Sequence, residues 1–229
     1  MNKSTVALLT ETWFNKGNKK LAHDLKQLSQ QHEISLLRKD RTSRGGGVAL
    51  AFDSTSAEFK KVQLRTLKGC EHEILVAHGR VHGVKKSHLV FVGYIPPSYM
   101  SAQNKGFFDV LTDAMSEAWS KFPESWVTLG GDWNNRDLAP VLTLFPDLKM
   151  VESGPTRKTA TLDILVTSYS DHVSVVSVNH ALESIDGKQS DHKILRVESV
   201  LPRPRAFNWE IQEFLKTSKE GDAKLVSLI

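Results

Sequence analysis

Four apolar, strand-like stretches of this chain run directly into, or start directly from, acid and amide side chains, and that recurrence restricts the fold more than any other feature. Residues 6–9 lead into Thr10-Glu11-Thr12, and residues 126–129 into Gly130-Gly131-Asp132-Trp133-Asn134. The stretch 162–166 opens on Leu162-Asp163, and residues 194–197 follow Ser190-Asp191-His192. Strand ends are where proteins built on sheets gather ligands. Singly, each group has a plain structural explanation: Glu11 as a helix cap, Asp132 and Asn134 as turn formers, Asp163 as a satisfied core carboxylate. Together they make a candidate site.

The stretches between them alternate in type. Residues 19–31 carry Leu21, Leu25 and Leu28 at helical spacing, and residues 103–121 carry Phe107, Phe108, Leu111, Met115 and Trp119 in the same way. Strand-like runs occupy 34–37, 48–52, 74–82, 88–94 and 173–178. Gly83-Val84-Lys85-Lys86-Ser87 joins two of them as a hairpin, and Pro96-Pro97 ends the second and stiffens the loop that follows. Helices interleaved with hairpins predict an α/β fold in which two mixed β-sheets pack as a sandwich flanked by helices. A length of 229 residues suits one main domain. It is expected over 1–200, with the alternating prolines of Leu201-Pro202-Arg203-Pro204-Arg205 opening a linker and helical tail over 201–229 that leads toward a downstream domain.

Composition narrows the function. No apolar run approaches the ~18 residues of a membrane span, and the opening residues lack a signal-peptide cleavage pattern. The single cysteine, Cys70, leaves no disulfide framework or cysteine-rich zinc cluster and suits a reducing, intracellular compartment. A net charge of +4 and a pI near 9.1 lean toward a polyanionic partner. The segment 38–44 is more pointed. It sets Arg38, Lys39, Arg41 and Arg44 before Gly45-Gly46-Gly47, which makes Arg41 and Arg44 candidates for substrate phosphates on an unhindered backbone; a solvated hinge loop explains it equally well. His78 and His82 are four apart in a strand-like context, which is not a ligand spacing for a strand.

Hydrolysing a phosphodiester needs a positioned water, stabilisation of charge on the phosphoryl oxygens and help for the leaving oxyanion. Hard oxygen ligands suit Mg²⁺ or Mn²⁺, with Glu11 as the candidate ligand. Asp132 would align and deprotonate the water, and Asn134 would assist without adding negative charge. His192 would donate to the phosphate, with a carboxylate such as Asp163 behind it fixing the tautomer. Tyr94 offers a phenolic hydrogen bond to the developing charge.

The order and wording of these segments resemble the endonuclease/exonuclease/phosphatase superfamily. The matching phrases are Thr10-Glu11-Thr12-Trp13, Gly93-Tyr94-Ile95-Pro96-Pro97, Gly131-Asp132-Trp133-Asn134, Leu162-Asp163-Ile164 and Ser190-Asp191-His192, spanning residues 10 to 192. Within it, Arg44-Gly45-Gly46-Gly47-Val48, Tyr94-Ile95-Pro96-Pro97-Ser98 and Pro155-Thr156-Arg157 look like the endonuclease domain of non-LTR (LINE-type) retrotransposons. The resemblance implies a DNase-like sandwich and a Mg²⁺-dependent endonuclease with DNA as partner. It places Glu11 on the metal, Tyr94 on phosphate, Asp132 and Asn134 on the nucleophile, and Asp163 behind His192. Asp191 becomes a metal ligand, directly or through water, and Thr156 with Arg157 joins the substrate-binding set. The implied act is nicking of chromosomal DNA in the nucleus to expose a 3′-hydroxyl that primes reverse transcription, as part of a polyprotein with reverse transcriptase.

Two features complicate that picture. Ser170-Asp171-His172 repeats the tripeptide Ser190-Asp191-His192. The resemblance makes His192 the expected catalytic histidine, because it begins the last strand after a polar loop, where the superfamily places that residue. Superfamily members also begin with a strand carrying an asparagine well upstream of the metal-binding glutamate, whereas ten residues precede Glu11 here, so that first strand is expected to be missing. The same chemistry would serve an abasic-site endonuclease or another phosphoesterase, and a nucleic-acid-binding module with weak catalysis is the reading from a different class.

Overall fold

A computed structural model of the chain describes residues 6–12, 33–41, 46–179 and 192–201, together with Gln27 and Gln31. The expected helix over 19–31 lies almost wholly outside these residues, and the tail beyond 201 lies entirely outside them. In chain order the strands are β1 (Val6–Thr10), β2 (Ile34–Lys39), β3 (Val48–Asp53), β4 (Ala57–Lys61), β5 (Glu73–Val81), β6 (His88–Tyr94), β7 (Trp126–Asp132), β8 (Lys149–Val151), β9 (Asp163–Thr167), β10 (Val173–Asn179) and β11 (Ile194–Ser199). Helix α1 (Ser101–Lys121) lies between β6 and β7, and α2 (Ala139–Leu144) follows β7.

The run Leu89-Val90-Phe91-Val92 shows no alternation of polarity because β6 is covered on both faces. Leu89 and Phe91 join a core with Phe107, Leu111, Met115 and Ala118 of α1, while Val90 and Val92 join a second core with Val48, Leu50 and Phe52 of β3. Two layers therefore pack on a central six-stranded sheet of order β4-β5-β6-β7-β9-β8: α1 on one face and the three-stranded sheet β1-β3-β2 on the other. Gly130 allows the close approach of the two sheets, since a Cβ there would stand 2.6 Å from Leu8 Cδ2. Among the described residues only the six-stranded sheet is mixed, through its parallel β6–β7 pair. The three-stranded sheet and the separate β10–β11 pair are antiparallel, a narrower result than the two mixed sheets expected.

Helix α1 starts two residues before its apolar periodicity suggests, because the Gln103 side chain accepts from the Met100 N–H at 3.0 Å and caps the first turn. Strands β4 and β8 and helix α2 were too short for their periodicity to register. Asp137 starts α2 by accepting from the Ala139 N–H at 2.8 Å. No helix among the described residues is long and apolar enough to cross a membrane.

At the end of the sheet away from the acid groups, His88 is 4% exposed, rests edge-on against Trp126 and Tyr169, and keeps a buried Nε2 without a partner. Burial drops its pKa to about 4, with nearby His78 adding to the effect. The folded protein thus holds His88 neutral while the unfolded chain protonates near 6.5. Stability is complete above 6.5 and is lost as pH falls toward 4, with a slope approaching ~1.4 kcal/mol per pH unit. Urea unfolding between pH 4 and 7 should show this slope, and His88→Phe, which keeps the packing but not the proton site, should flatten it.

Candidate active site

Strand register assembles the site. Glu73 pairs with Tyr94, Tyr94 with Asp132, and Asp132 with Asp163, so one row crosses β5, β6, β7 and β9. Gly131, one residue before Asp132, has no room for a side chain: its φ is +154° and a Cβ would fall 1.8 Å from the Gly93 carbonyl oxygen. Trp133, one residue after, is fully buried beside Gly93 and Phe107, and its Nε1 donates to the Ile164 carbonyl at 3.3 Å. The indole therefore works as a core residue that pins the Asp132 and Asn134 on either side of it.

Asp132 is 2% exposed. Asn134 clamps it: the Asn134 N–H donates to Oδ1 at 3.0 Å and its Nδ2 to Oδ2 at 3.1 Å, while Nδ2 also donates to the Ile95 carbonyl at 2.9 Å. Asn134 and Asn135 take left-handed backbone, at φ 45° and 60°, which asparagine accepts more readily than most side chains. Burial pushes the Asp132 carboxyl up to about 6, with the Asp163 and Glu11 charges adding and the Asn134 N–H and His192 opposing. His192 Nδ1 lies 2.9 Å from Asp163 Oδ2, and its Nε2 lies 4.0 Å from Asp132 Oδ2. The first is a hydrogen bond that fixes the ring; the second is too long for one and leaves a gap between base and imidazole.

Glu11 stands just past β1 in left-handed backbone, φ 49°, an uncommon conformation for glutamate of the kind that accumulates at functional sites. Tyr94 donates its phenolic hydrogen to Glu11 Oε1. Burial and that bond, together with nearby carboxylates, raise the phenol's pKa, so it stays protonated. Tyr94 thus orients Glu11 in this state.

Glu73 was missed by sequence reasoning. It is 4% exposed, accepts from the Gly47 N–H at 2.5 Å and pairs with Arg41 at 3.1 Å. Burial raises its pKa, and these two donors oppose the rise. Gly46 and Gly47 both have positive φ, and a Cβ on Gly46 would lie 2.6 Å from the Glu73 carboxylate. The glycine run therefore lets the backbone wrap a buried acid. Arg136, also unforeseen, donates to the Tyr99 carbonyl at 3.0 Å and braces the loop after Tyr94. Neither residue sits in a distinctive local sequence pattern.

Thr156, expected on substrate, is 0% exposed, and its Oγ1 accepts from the Leu162 and Asp163 N–H groups at 3.0 Å each. Its carbonyl accepts from the Lys193 N–H at 2.7 Å. Thr156 thus staples the chain before Asp163 to the chain after His192. Arg157 lies next to it in a bridge with Ala160. Arg41 faces Glu73, whereas Arg44 and Asp191 lie outside the described residues. Of the two copies of the tripeptide, Asp171 and His172 are exposed in a 3₁₀ turn beside Trp126, away from the row, whereas His192 lies at the row against Asp163.

Ligand atoms of Asp132, Asp163 and His192 lie within 4.8 Å of one another, close enough to hold a metal ion. Among the described residues, the carboxylates of Glu11, Glu73, Asp132 and Asp163 face the Arg41 guanidinium, the His192 imidazole and, near Glu73, the Lys39 ammonium, an excess of negative charge that a divalent cation would offset. The donor set therefore fits a hard cation.

A search of solved structures returns the same architecture. Truncated TDP2 from Caenorhabditis elegans matches at TM-score 0.59 and 16% identity, covering 84% of this chain and 82% of that one. The endonuclease domain of TRAS1, a telomere-specific non-LTR retrotransposon, matches at TM-score 0.53 and 16% identity, over 84% of this chain and 83% of its own. The chain therefore shares the fold of these solved structures, the DNase-like sandwich expected from its sequence. A third neighbour with this fold, the 3′ phosphatase NExo from Neisseria bound to product DNA hairpin, matches at TM-score 0.59 and 14% identity, over 85% and 88%. No protein-family model matches the sequence, and no curated protein matches it.

Thr156→Val keeps the shape and removes the acceptor, leaving two buried N–H groups unpaired. Denaturant unfolding should show a loss of about 1–3 kcal/mol, and any catalytic activity should fall with it.

Proposed function

We propose that this chain is a divalent-metal-dependent endonuclease that hydrolyses a DNA phosphodiester and leaves a 3′-hydroxyl. The observation that carries the reading is the Asp132–Asn134 clamp facing the Asp163–His192 pair across a gap, with Glu11 beside it. Asp132 accepts the proton of the attacking water; with its pKa at about 6 it is a stronger base than an ordinary carboxylate and still mostly ionised at neutral pH. Asn134 holds the carboxylate in one orientation. His192, its Nδ1 held by Asp163, turns Nε2 toward a phosphoryl oxygen. Glu11 with Asp132 and Asp163 would hold Mg²⁺ or Mn²⁺, which neutralises phosphoryl charge and the leaving oxyanion.

The likeness to the TRAS1 domain supports a retrotransposon role, in which the nick primes reverse transcription of an element in the nucleus. On that reading residues 201–229 lead as linker and helical tail toward a reverse transcriptase. End processing by another phosphoesterase chemistry is the second reading, supported by the likeness to the 3′ phosphatase NExo at TM-score 0.59.

Supercoiled plasmid with Mg²⁺ separates these. The wild type should nick it, chelator should stop the reaction, and Asp132→Asn and His192→Ala should each slow it by about 10²-fold or more. Equal cutting by all three proteins would reject the assigned site. Intact plasmid with release of phosphate from a 3′-phosphorylated oligonucleotide would replace the endonuclease by the end-processing enzyme.

A further inference from the structure

Beyond the last β4–β5 pair, Lys61 with Ala77, the chain leaves the sheet edge and a cleft of about 420 Å³ opens. Lys39, Lys61, Arg65 and Lys68 line it over an apolar floor that includes Leu64 and Ile74, and among the described residues no acidic one lines it. Lys39 reaches it from the end of β2, where its Nζ donates to the Cys70 carbonyl at 3.0 Å and the His72 carbonyl at 2.6 Å. That places one fixed ammonium beside Glu73, so the cleft starts next to the acidic row. Arg65 is 95% exposed and only 3.9 Å from Glu117, whose carboxylate is already held by Lys121 at 2.8 Å and by the Arg65 and Thr66 N–H groups. Burial, with Lys61 adding, lowers the pKa of Lys39. An anion in the cleft would favour the charged form of Lys39 against that burial.

Among the described residues no aromatic side chain lines the cleft, so these residues offer no platform on which to stack a base. Lysines act as point charges with little geometric demand, which suits phosphates read without regard to sequence. We propose that the cleft formed by Lys39, Lys61, Arg65 and Lys68 binds the phosphodiester backbone of the nucleic-acid strand that flanks the cut, with a sugar face against the Leu64–Ile74 floor. This deepens the nuclease reading and rests on its choice of a nucleic-acid substrate.

The test measures binding of a labelled 20-base-pair DNA duplex in chelator, where nothing is cut. Lys61→Gln/Arg65→Gln/Lys68→Gln changes exposed side chains only, and an unchanged melting temperature would verify its fold. Its affinity should fall about tenfold or more at moderate salt, and the slope of log affinity against log salt should shrink by about 2 to 3. Lys85→Gln/Lys86→Gln, on the hairpin at the other end of the sheet, should change the slope much less. Equal slopes for the wild type and the triple variant would overturn the proposal. So would loss of binding to anionic phospholipid vesicles with duplex binding intact, or displacement of the duplex by millimolar inorganic phosphate, which would make the cleft a lipid-headgroup or free-phosphate site. Because this readout needs no catalysis, binding that the triple variant weakens, in a protein that cuts nothing, would sink the nuclease reading and leave the cleft standing. Cutting with an unchanged KM in the triple variant would do the reverse.

Discussion

Burial of the Glu73 carboxylate is the constraint on which the site end of this structure depends. An acid taken out of water must find donors, and Glu73 finds them in the Gly47 N–H and the Arg41 guanidinium. Gly47 is in turn bonded through its carbonyl to the Thr12 N–H, next to Glu11. One carboxylate on the central sheet therefore ties down the start of β3 and the end of β1, both on the other sheet. The hydrophobic layer between the sheets supplies cohesion without direction; this polar tie sets how Glu11 sits relative to Tyr94 and Asp132.

The rest of the arrangement follows from pairing strands whose ends carry like charge. Register brings Glu73, Asp132 and Asp163 into one row with Tyr94 among them, and those charges repel. Folding offsets the repulsion with a donor for each acid: Arg41 and Gly47 for Glu73, Asn134 for Asp132, His192 for Asp163, Tyr94 for Glu11. Asp132 still retains a raised pKa after this compensation. A carboxylate held in that condition is poised both to take a proton and to welcome a cation.

Much of this was legible in the sequence. The strands were visible because their apolar runs are long, and β6 lay where His88 to Tyr94 predicted it. The resemblance set Asp163 behind His192, and the structure brings these two side chains within 2.9 Å of each other. Short elements escaped because three to six residues cannot display a period, as in β8 and α2. Glu73 escaped for another reason: a single acid at the head of a hydrophobic strand looks like a boundary residue, and only the three-dimensional approach of Gly46 and Gly47 reveals that it is buried. The bracing role of Thr156 was not legible, since a threonine whose hydroxyl accepts two backbone N–H bonds reads in one dimension like any threonine near a site.

Trp133 separates two kinds of selection. Its indole belongs to the helix-side core, and Gly93 and Gly131 are small because that ring and the neighbouring strand leave no space. A lineage that ceased to use the chemistry would still be obliged to keep Gly93, Gly131 and Trp133 in order to fold. The residues around Asp132 are thus held by architecture whatever chemistry the acid performs. Loss of that chemistry would show first at Asp132, Asn134 and His192, whose polar groups the core does not need.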